Sequence, residues 1–136
     1  MSWQCPDCGR QFRNKNQSHS CINVDVADHF RNRPEKLRWV YDTLIKSITT
    51  FGDVKVEPVK NAIMAKANST FLAIKPKKDH LVLEFMLDRE VLEFPVYKTF
   101  RYTKNKTVHY VLVEEEDEVD AQLLSWLRES YQLSLK

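Results

Sequence analysis

The stretch from Phe71 to Leu87, FLAIKPKKDHLVLEFML, decides the fold because it predicts a β-hairpin. Phe71 to Lys75 is rich in apolar residues and ends before Pro76, which cannot donate a backbone hydrogen bond inside a sheet. Leu81 to Leu87 is a second strand, and Pro76 to Asp79 supply the turn between them. A short turn of this kind predicts antiparallel pairing.

Further strands are predicted on both sides of this hairpin. Val54 and Val56 alternate with Lys55 and Glu57, as in a half-exposed strand, and Pro58 confines that strand to a sheet edge or ends it. Additional strands are predicted at 62–66, 96–102 and 107–113, the last two joined around residues 104–106. Together they predict a mostly antiparallel sheet of five or six strands.

Two amphipathic helices are predicted to flank the sheet. The first covers residues 34–51, with Pro34 in its first turn and Gly52 as its stop signal. The second is opened by the acidic run 114–118, with Asp117 as its cap. Each has one apolar stripe, so both are expected to pack side by side on one face of the sheet. The predicted fold class is therefore α+β.

Three segments are predicted along the chain: a zinc-binding module at 1–24, a connector at 25–33 and an α+β domain at 34–136. In the connector, Asp25 is suited to cap a short helical turn over residues 26–31. The zinc module precedes the first helix of the domain.

The metal prediction rests on the spacing of the cysteines. Cys5 and Cys8 form a Cys-x-x-Cys pair, and Cys21 is the third thiolate. The fourth ligand is His19 or His29, and His19 is preferred because it lies two residues from Cys21. Four protein ligands leave no position open for water, which indicates a structural zinc ion rather than a catalytic one.

The cysteines also bear on the cellular compartment. Three cysteines leave one unpaired in any disulfide scheme, and a redox Cys-x-x-Cys normally lies between a strand and a helix. No apolar run is long enough to cross a membrane, and no signal peptide is recognised. We therefore expect a cytoplasmic protein with no membrane contact. The oligomeric state is left open.

Charge is distributed unevenly along the chain. Residues 1–113 carry 19 basic and 12 acidic side chains, whereas residues 114–136 carry 2 basic and 7 acidic ones. Basic residues near turns, with Phe12, Phe100 and Tyr102 among them, are typical of nucleic-acid binding. The candidate nucleic-acid contacts are Arg10, Arg13, Lys15, Lys75, Lys77, Lys78, Arg101, Lys104 and Lys106. Lysines at strand ends also serve simply to prevent edge pairing.

Recognisable enzyme motifs are missing from the sequence. Only Gly9 and Gly52 are present, which excludes glycine-rich phosphate loops, and no zinc-protease or serine-hydrolase motif occurs. The leading hypothesis is a non-enzymatic binding protein with a structural zinc site and a basic surface for nucleic acid. The alternatives are a protein-interaction or small-ligand domain that uses the free sheet face, and an enzyme of unrecognised type.

Several of these motifs together resemble bacterial proteins that carry the domain of unknown function 5655. The resemblance rests on CPDCGR at 5–10, NQSHSC at 16–21, the helix ending in Phe51-Gly52, FLAIKPKK at 71–78 and WLRESY at 126–131. It covers nearly the whole chain and implies His19 as the fourth zinc ligand. It implies no activity.

Overall fold

The computed structural model describes residues 3–4, 11–12 and 25–136. The helices of the described residues are α1 (Val26–Phe30), α2 (Glu35–Ile48) and α3 (Ala121–Ser134). The strands are β1 (Trp3–Gln4), β2 (Gln11–Phe12), β3 (Lys55–Val59), β4 (Ala62–Lys66), β5 (Thr70–Pro76), β6 (Leu81–Leu87), β7 (Val96–Thr103) and β8 (Lys106–Val113). Short 3-10 turns at Thr49–Phe51 and Glu116–Glu118 follow α2 and precede α3.

The main sheet has six strands in the order β3-β4-β5-β6-β8-β7, and every neighbouring pair is antiparallel. The predicted α+β class and the β5–β6 hairpin are confirmed. Strand β8 lies between β6 and β7, so β6 and β7 run in the same direction. Residues 88–95, here called the crossover, must therefore span the width of β8.

The core lies between the sheet and the helices. Helix α3 packs on the sheet and buries Leu123 and Leu127, while α2 buries Leu37 and Leu44 in the same core. Their spacing of three, four or seven residues places each set on one side of its helix, as the sequence predicted. The sheet face on which α3 packs is called the helix face, and the opposite one the open face.

A β-bulge in β5 adds to this core. Ala65 pairs with Leu72 and Lys66 pairs with Thr70, which leaves Phe71 as an extra residue in β5. Phe71 and Leu72 are consequently both buried, although strict alternation would expose one of them. The Ser130 hydroxyl of α3 donates a 2.8 Å hydrogen bond to the Phe71 carbonyl and so ties the helix to the bulge.

The start of the last helix differs from the prediction. Helix α3 begins at Ala121, and its cap is Asp120, whose carboxylate accepts a 2.9 Å hydrogen bond from the Leu123 amide. Asp117 lies instead in the preceding 3-10 turn. Several acids in this segment have suitable capping chemistry, and the burial of Leu123 decides which of them stands at the helix start.

Gly52 brings the chain from α2 towards β3. Its φ of 152° is rarely adopted by residues with side chains. A Cβ at this position would overlap the hydroxyl of Tyr131 on α3. Glycine is therefore required here by both conformation and space. None of the helices in the described residues is sufficiently long and apolar to cross a bilayer.

Candidate nucleic-acid interface

The open face is defined by the strand register. Side chains alternate along each strand, and those opposite the buried core positions point away from α3. The charged residues of this face are Lys55, Glu57, Lys66, Lys75, Glu84, Lys98 and Lys106. The described part of the open face thus carries five lysines and two glutamates, an excess of positive charge.

Acidic residues neutralise two of the three lysines on the half of the open face that is built from β3 to β6. The Lys66 ammonium lies 2.6 Å from the Glu57 carboxylate, and the Lys75 ammonium lies 2.5 Å from the Glu84 carboxylate. Lys75 was predicted as a nucleic-acid contact, and its ion pair reduces the charge that it presents to a ligand. Among the described residues, Lys55 is the one open-face lysine of this half outside these two pairs, whereas neither Lys98 nor Lys106 on the other half has a carboxylate on its own strand pair.

The half built from β7 and β8 combines lysines with aromatic rings. Its residues Tyr97, Lys98, Phe100, Lys106 and Tyr110 are called the β7–β8 surface. The Tyr97 and Tyr110 ring centroids are 6.3 Å apart, and the Lys98 ammonium lies 4.9 Å from the Tyr110 centroid. Neither β7 nor β8 contains an acidic residue. Nothing within these two strands opposes an anionic ligand.

The aromatic side chains of this region differ in how accessible they are. Tyr110 is partly buried, and this desolvation raises the pKa of its hydroxyl, which stays protonated near neutral pH. Phe100 lies across from Val108 and is 56% exposed. Strand β7 has two bulges, at Val96/Lys98 and Arg101/Thr103, and Tyr102 in the second of them is 63% exposed. Phe100 and Tyr102, together with Tyr97, which is 55% exposed, therefore present the accessible ring surface.

The predicted basic residues do not form one cluster. Lys77 and Lys78 lie in the β5–β6 turn, whereas Lys104 and Lys106 lie at the β7–β8 turn. These turns are at opposite ends of the sheet, because Leu81 pairs with Val113 and Leu87 with Thr107. At about 3.4 Å per residue the separation along the strands is roughly 20 Å.

Arg101 is also set apart from the aromatic rings. It pairs with Thr107, which is buried on the helix face, so the backbone directs Arg101 to that side of β7. Lys98, Tyr97 and Tyr110 were missed by the sequence reasoning. Tyr110 alternates with the buried His109 and Val111, which was an available signal, whereas Tyr97 and Lys98 are adjacent at a bulge and are placed beside Tyr110 by the β7–β8 register.

The predicted zinc ligands Cys5, Cys8, His19 and Cys21 lie outside the described residues, as do Arg10, Arg13 and Lys15. The described residues of this region form a short antiparallel pair, in which Trp3 pairs with Phe12 and Gln4 with Gln11. The chain therefore reverses direction between Gln4 and Gln11. Among the described residues, no three His, Cys, Asp or Glu side chains are grouped as metal ligands.

His29, the alternative zinc ligand, lies on α1 and is 8% exposed. Its Nε2 is 2.7 Å from the Val59 carbonyl oxygen, and a carbonyl only accepts, so Nε2 carries the proton. A role as metal ligand would therefore have to use Nδ1. The same hydrogen bond ties α1 to the end of β3.

His109 lies on the helix face and is fully buried. Its Nδ1–H donates to the Thr107 carbonyl at 3.0 Å, and its Nε2 accepts from the Val91 amide at 2.9 Å. Burial lowers the pKa of His109, which matches the neutral ring that these bonds require. The ring stacks on Phe85 at 5.5 Å. His109 therefore fastens the crossover to the sheet and does not face a ligand site.

The open face also contains a shallow apolar depression of about 230 Å³. Its open-face side chains are Met64, Ala73, Met86 and Val108, with Glu84 beside them. It borders the β7–β8 surface at Val108, across from Phe100.

The comparisons with known proteins identify a family and no activity. No curated protein and no solved structure matches the chain significantly. One family model, described as a domain of unknown function (DUF5655), matches residues 26–134. That range includes α1, α2, the six-stranded sheet and α3. The chain therefore belongs to the DUF5655 family.

Proposed function

We propose that the chain is a non-enzymatic binding protein that contacts single-stranded nucleic acid through the β7–β8 surface. The observation that carries the proposal is the exposed Phe100 ring beside Lys98 and Lys106, on two strands that lack acidic residues. Bases stack on exposed aromatic rings, and lysines neutralise the phosphates between them. Stacking and charge together favour unpaired strands, whose base faces are free.

The helices do not favour an alternative in which one of them enters a duplex groove. On α2, the Arg38 guanidinium lies 3.1 Å from the Asp42 carboxylate, and the Lys36 ammonium lies 2.8 Å from Glu115. A helix that reads the major groove needs an unneutralised basic surface. Two of the three cations of α2 are therefore neutralised, and α3 contains a single cation, Arg128.

A small-ligand function that uses the open face of the sheet is less well supported than nucleic-acid binding. Sites for small molecules usually enclose about 300–1,000 Å³. The depression on the open face, with about 230 Å³, is smaller and shallow. It does not bring several polar groups together to orient a ligand.

The N-terminal module completes the proposal. A structural zinc ion would be held by Cys5, Cys8, His19 and Cys21, and would supply folding stability to a segment too short for an apolar core. The pairing of β1 with β2 supports it, because this reversal brackets the Cys-x-x-Cys pair. Three thiolate ligands favour a reducing, cytoplasmic compartment. Arg10, Arg13 and Lys15 would add positive charge near the module.

The nucleic-acid proposal is tested by fluorescence anisotropy with labelled single-stranded DNA and RNA of mixed sequence, over a series of salt concentrations. Binding should weaken as salt rises, with a slope of log K of about −0.7 for each phosphate contact. Lys98→Ala and Lys106→Ala should each make that slope less negative by about 0.7, because each removes one phosphate contact. Phe100→Ala should cost about 1–3 kcal/mol in binding free energy.

Two matched variants serve as controls. Lys78→Ala removes a lysine at the opposite end of the sheet, and Trp39→Ala removes an aromatic ring that is 53% exposed on α2. Both should bind like the unaltered chain. Negligible binding to DNA and RNA at low salt, or equal losses in the control variants, would contradict the proposal. Elemental analysis of the protein purified under reducing conditions tests the zinc part separately.

A further inference from the structure

The crossover exposes two large apolar side chains to solvent. Leu92 is 76% exposed and Phe94 is 88% exposed, the highest values among the large hydrophobic residues of the described chain. Isolated apolar residues are common on protein surfaces, but interaction sites expose large apolar side chains close together, as Leu92 and Phe94 are along this short connection.

The crossover is held firmly at several points. The Val91 side chain is buried, and its amide donates to His109. The Arg89 guanidinium makes two hydrogen bonds of 3.0 and 2.9 Å to the Glu129 carboxylate of α3. Leu92 and Phe94 are therefore displayed by an anchored segment, so that a partner would lose little conformational freedom in binding it.

The charge around these side chains is negative. Asp88, Glu90 and Glu93 lie on the crossover, and its single cation, Arg89, is already paired with Glu129. Nucleic acid would be repelled by this segment, which separates it from the β7–β8 surface. A complementary partner offers an apolar recess surrounded by cations.

The chain itself contains a recess of this description. The apolar depression on the open face is lined by Met64, Ala73, Met86 and Val108. Lysines 66, 75 and 106 occupy the same face around it. Lys66 and Lys75 are paired with Glu57 and Glu84, so the remaining positive charge on the described part of this face comes from Lys106 beside the depression and from Lys55 and Lys98 farther away.

We propose that the crossover of one copy docks through Phe94 into the apolar depression of a second copy. One chain cannot fill its own depression, because the crossover is fastened on the helix face and the depression lies on the open face. The contact joins two different surfaces and is therefore heterologous. It does not depend on nucleic-acid binding.

Sedimentation velocity of the full chain at low salt, over concentrations up to about 1 mM, tests the proposal in a range suited to weak contacts. The weight-average sedimentation coefficient should rise with concentration. Phe94→Asp and Met86→Glu should each weaken association by at least about tenfold, because each removes a central apolar contact and adds negative charge to it. Trp39→Asp changes an exposed aromatic residue elsewhere and should associate normally.

Mixing the two variants gives the sharpest result. Phe94→Asp retains the depression, and Met86→Glu retains the crossover, so an equimolar mixture should form heterodimers although each variant alone stays monomeric. Circular dichroism checks that both variants are folded. The proposal is overturned by a monomeric unaltered chain at all concentrations, by association that either variant leaves unchanged, or by a mixture that stays monomeric.

Discussion

The two edges of the main sheet are built in opposite ways. Edge strand β3 has five residues, contains Pro58 and is joined at its end to α1 by the His29–Val59 hydrogen bond. Edge strand β7 has eight residues, six of which are exposed. A short strand with proline discourages pairing with other chains, whereas a long exposed strand invites contact.

The difference teaches which edge is available for a partner. Strand β7 resists plain strand addition through two bulges and the cations Lys98 and Arg101. It nevertheless keeps Phe100 and Tyr102 exposed, although burying them would have added apolar stabilisation. We infer that β3 serves the stability of the domain and β7 serves binding.

The largest expected effect on the β3 side comes from Gly52→Ala. The new methyl group would overlap the Tyr131 hydroxyl and would sit on backbone with φ of 152°. Backbone strain and overpacking together should lower the free energy of unfolding by about 3 kcal/mol in urea titrations. Adding Tyr131→Phe should recover part of the loss. An unchanged urea midpoint would show that substitutions near β3 are tolerated as well as those expected on β7, and would contradict the distinction between the two edges.

His29→Ala tests the link between α1 and β3. The substitution leaves the Val59 carbonyl without its partner and opens space beside β3. We expect a loss of about 2 kcal/mol in unfolding free energy. His80→Ala is the matched control, because the His80 ring lies in the β5–β6 turn, where its Nδ1 is 2.8 Å from the carboxylate of the neighbouring Asp79. Equal small losses of unfolding free energy in both variants would show that α1 does not stabilise the β3 edge.

The third prediction concerns His109, which fastens the crossover that leads into β7 on the helix face. Burial lowers the pKa of His109 in the folded chain, whereas in the unfolded chain it has the ordinary value near 6.5. At a pH between these two pKa values, His109 is protonated in the unfolded chain and neutral in the folded chain. Stability should therefore fall as pH falls below about 6.5, by up to about 1.4 kcal/mol per pH unit until the lowered pKa is reached.

Urea titrations at pH 7.5, 6.5 and 5.5 measure this slope, and His80→Asn controls for the histidine in the β5–β6 turn. Protonation of His109 removes the acceptor for the Val91 amide, so exchange of that amide should accelerate over the same range. A flat pH profile together with unaltered Val91 exchange would mean that the crossover is fastened in another way.

The smallest effect is expected at the β7 edge itself. Tyr102→Ala removes a side chain that is 63% exposed, and the unfolding free energy should change by no more than about 0.5 kcal/mol. Thermal unfolding by circular dichroism measures it. A loss above 1 kcal/mol would show that β7 aromatics are structural and would remove the distinction between the two edges.

Much of the fold was predictable from alternation and helical spacing. Residues 62–66 and 81–87 were predicted with the bounds of β4 and β6, because both are short, largely apolar runs bounded by polar residues. The strand order was not predictable, since it depends on β8 entering between β6 and β7. The cap at Asp120 was missed for a related reason: local chemistry permitted several caps, and tertiary burial selected one.

The candidate site was predictable only in part. Basic residues near turns were identified, but Lys77 and Lys78 lie at the far end of the sheet from Lys104 and Lys106. Lys75 is neutralised by Glu84, a residue on the neighbouring strand that only the register brings close. The sequence thus identified the basic residues that lie near turns. Which of them lie close together in space depends on the pairing of the strands.

The position of β8 has a consequence for how the chain reaches its native state. Strand β7 pairs with β8 and with no other strand among the described residues. During synthesis from the N-terminus, β6 is left without its neighbour until residue 113 has emerged. A nascent polypeptide halted near residue 105 would therefore leave one side of β6 unpaired and β7 without its partner strand, and both would be exposed to chaperones or to aggregation.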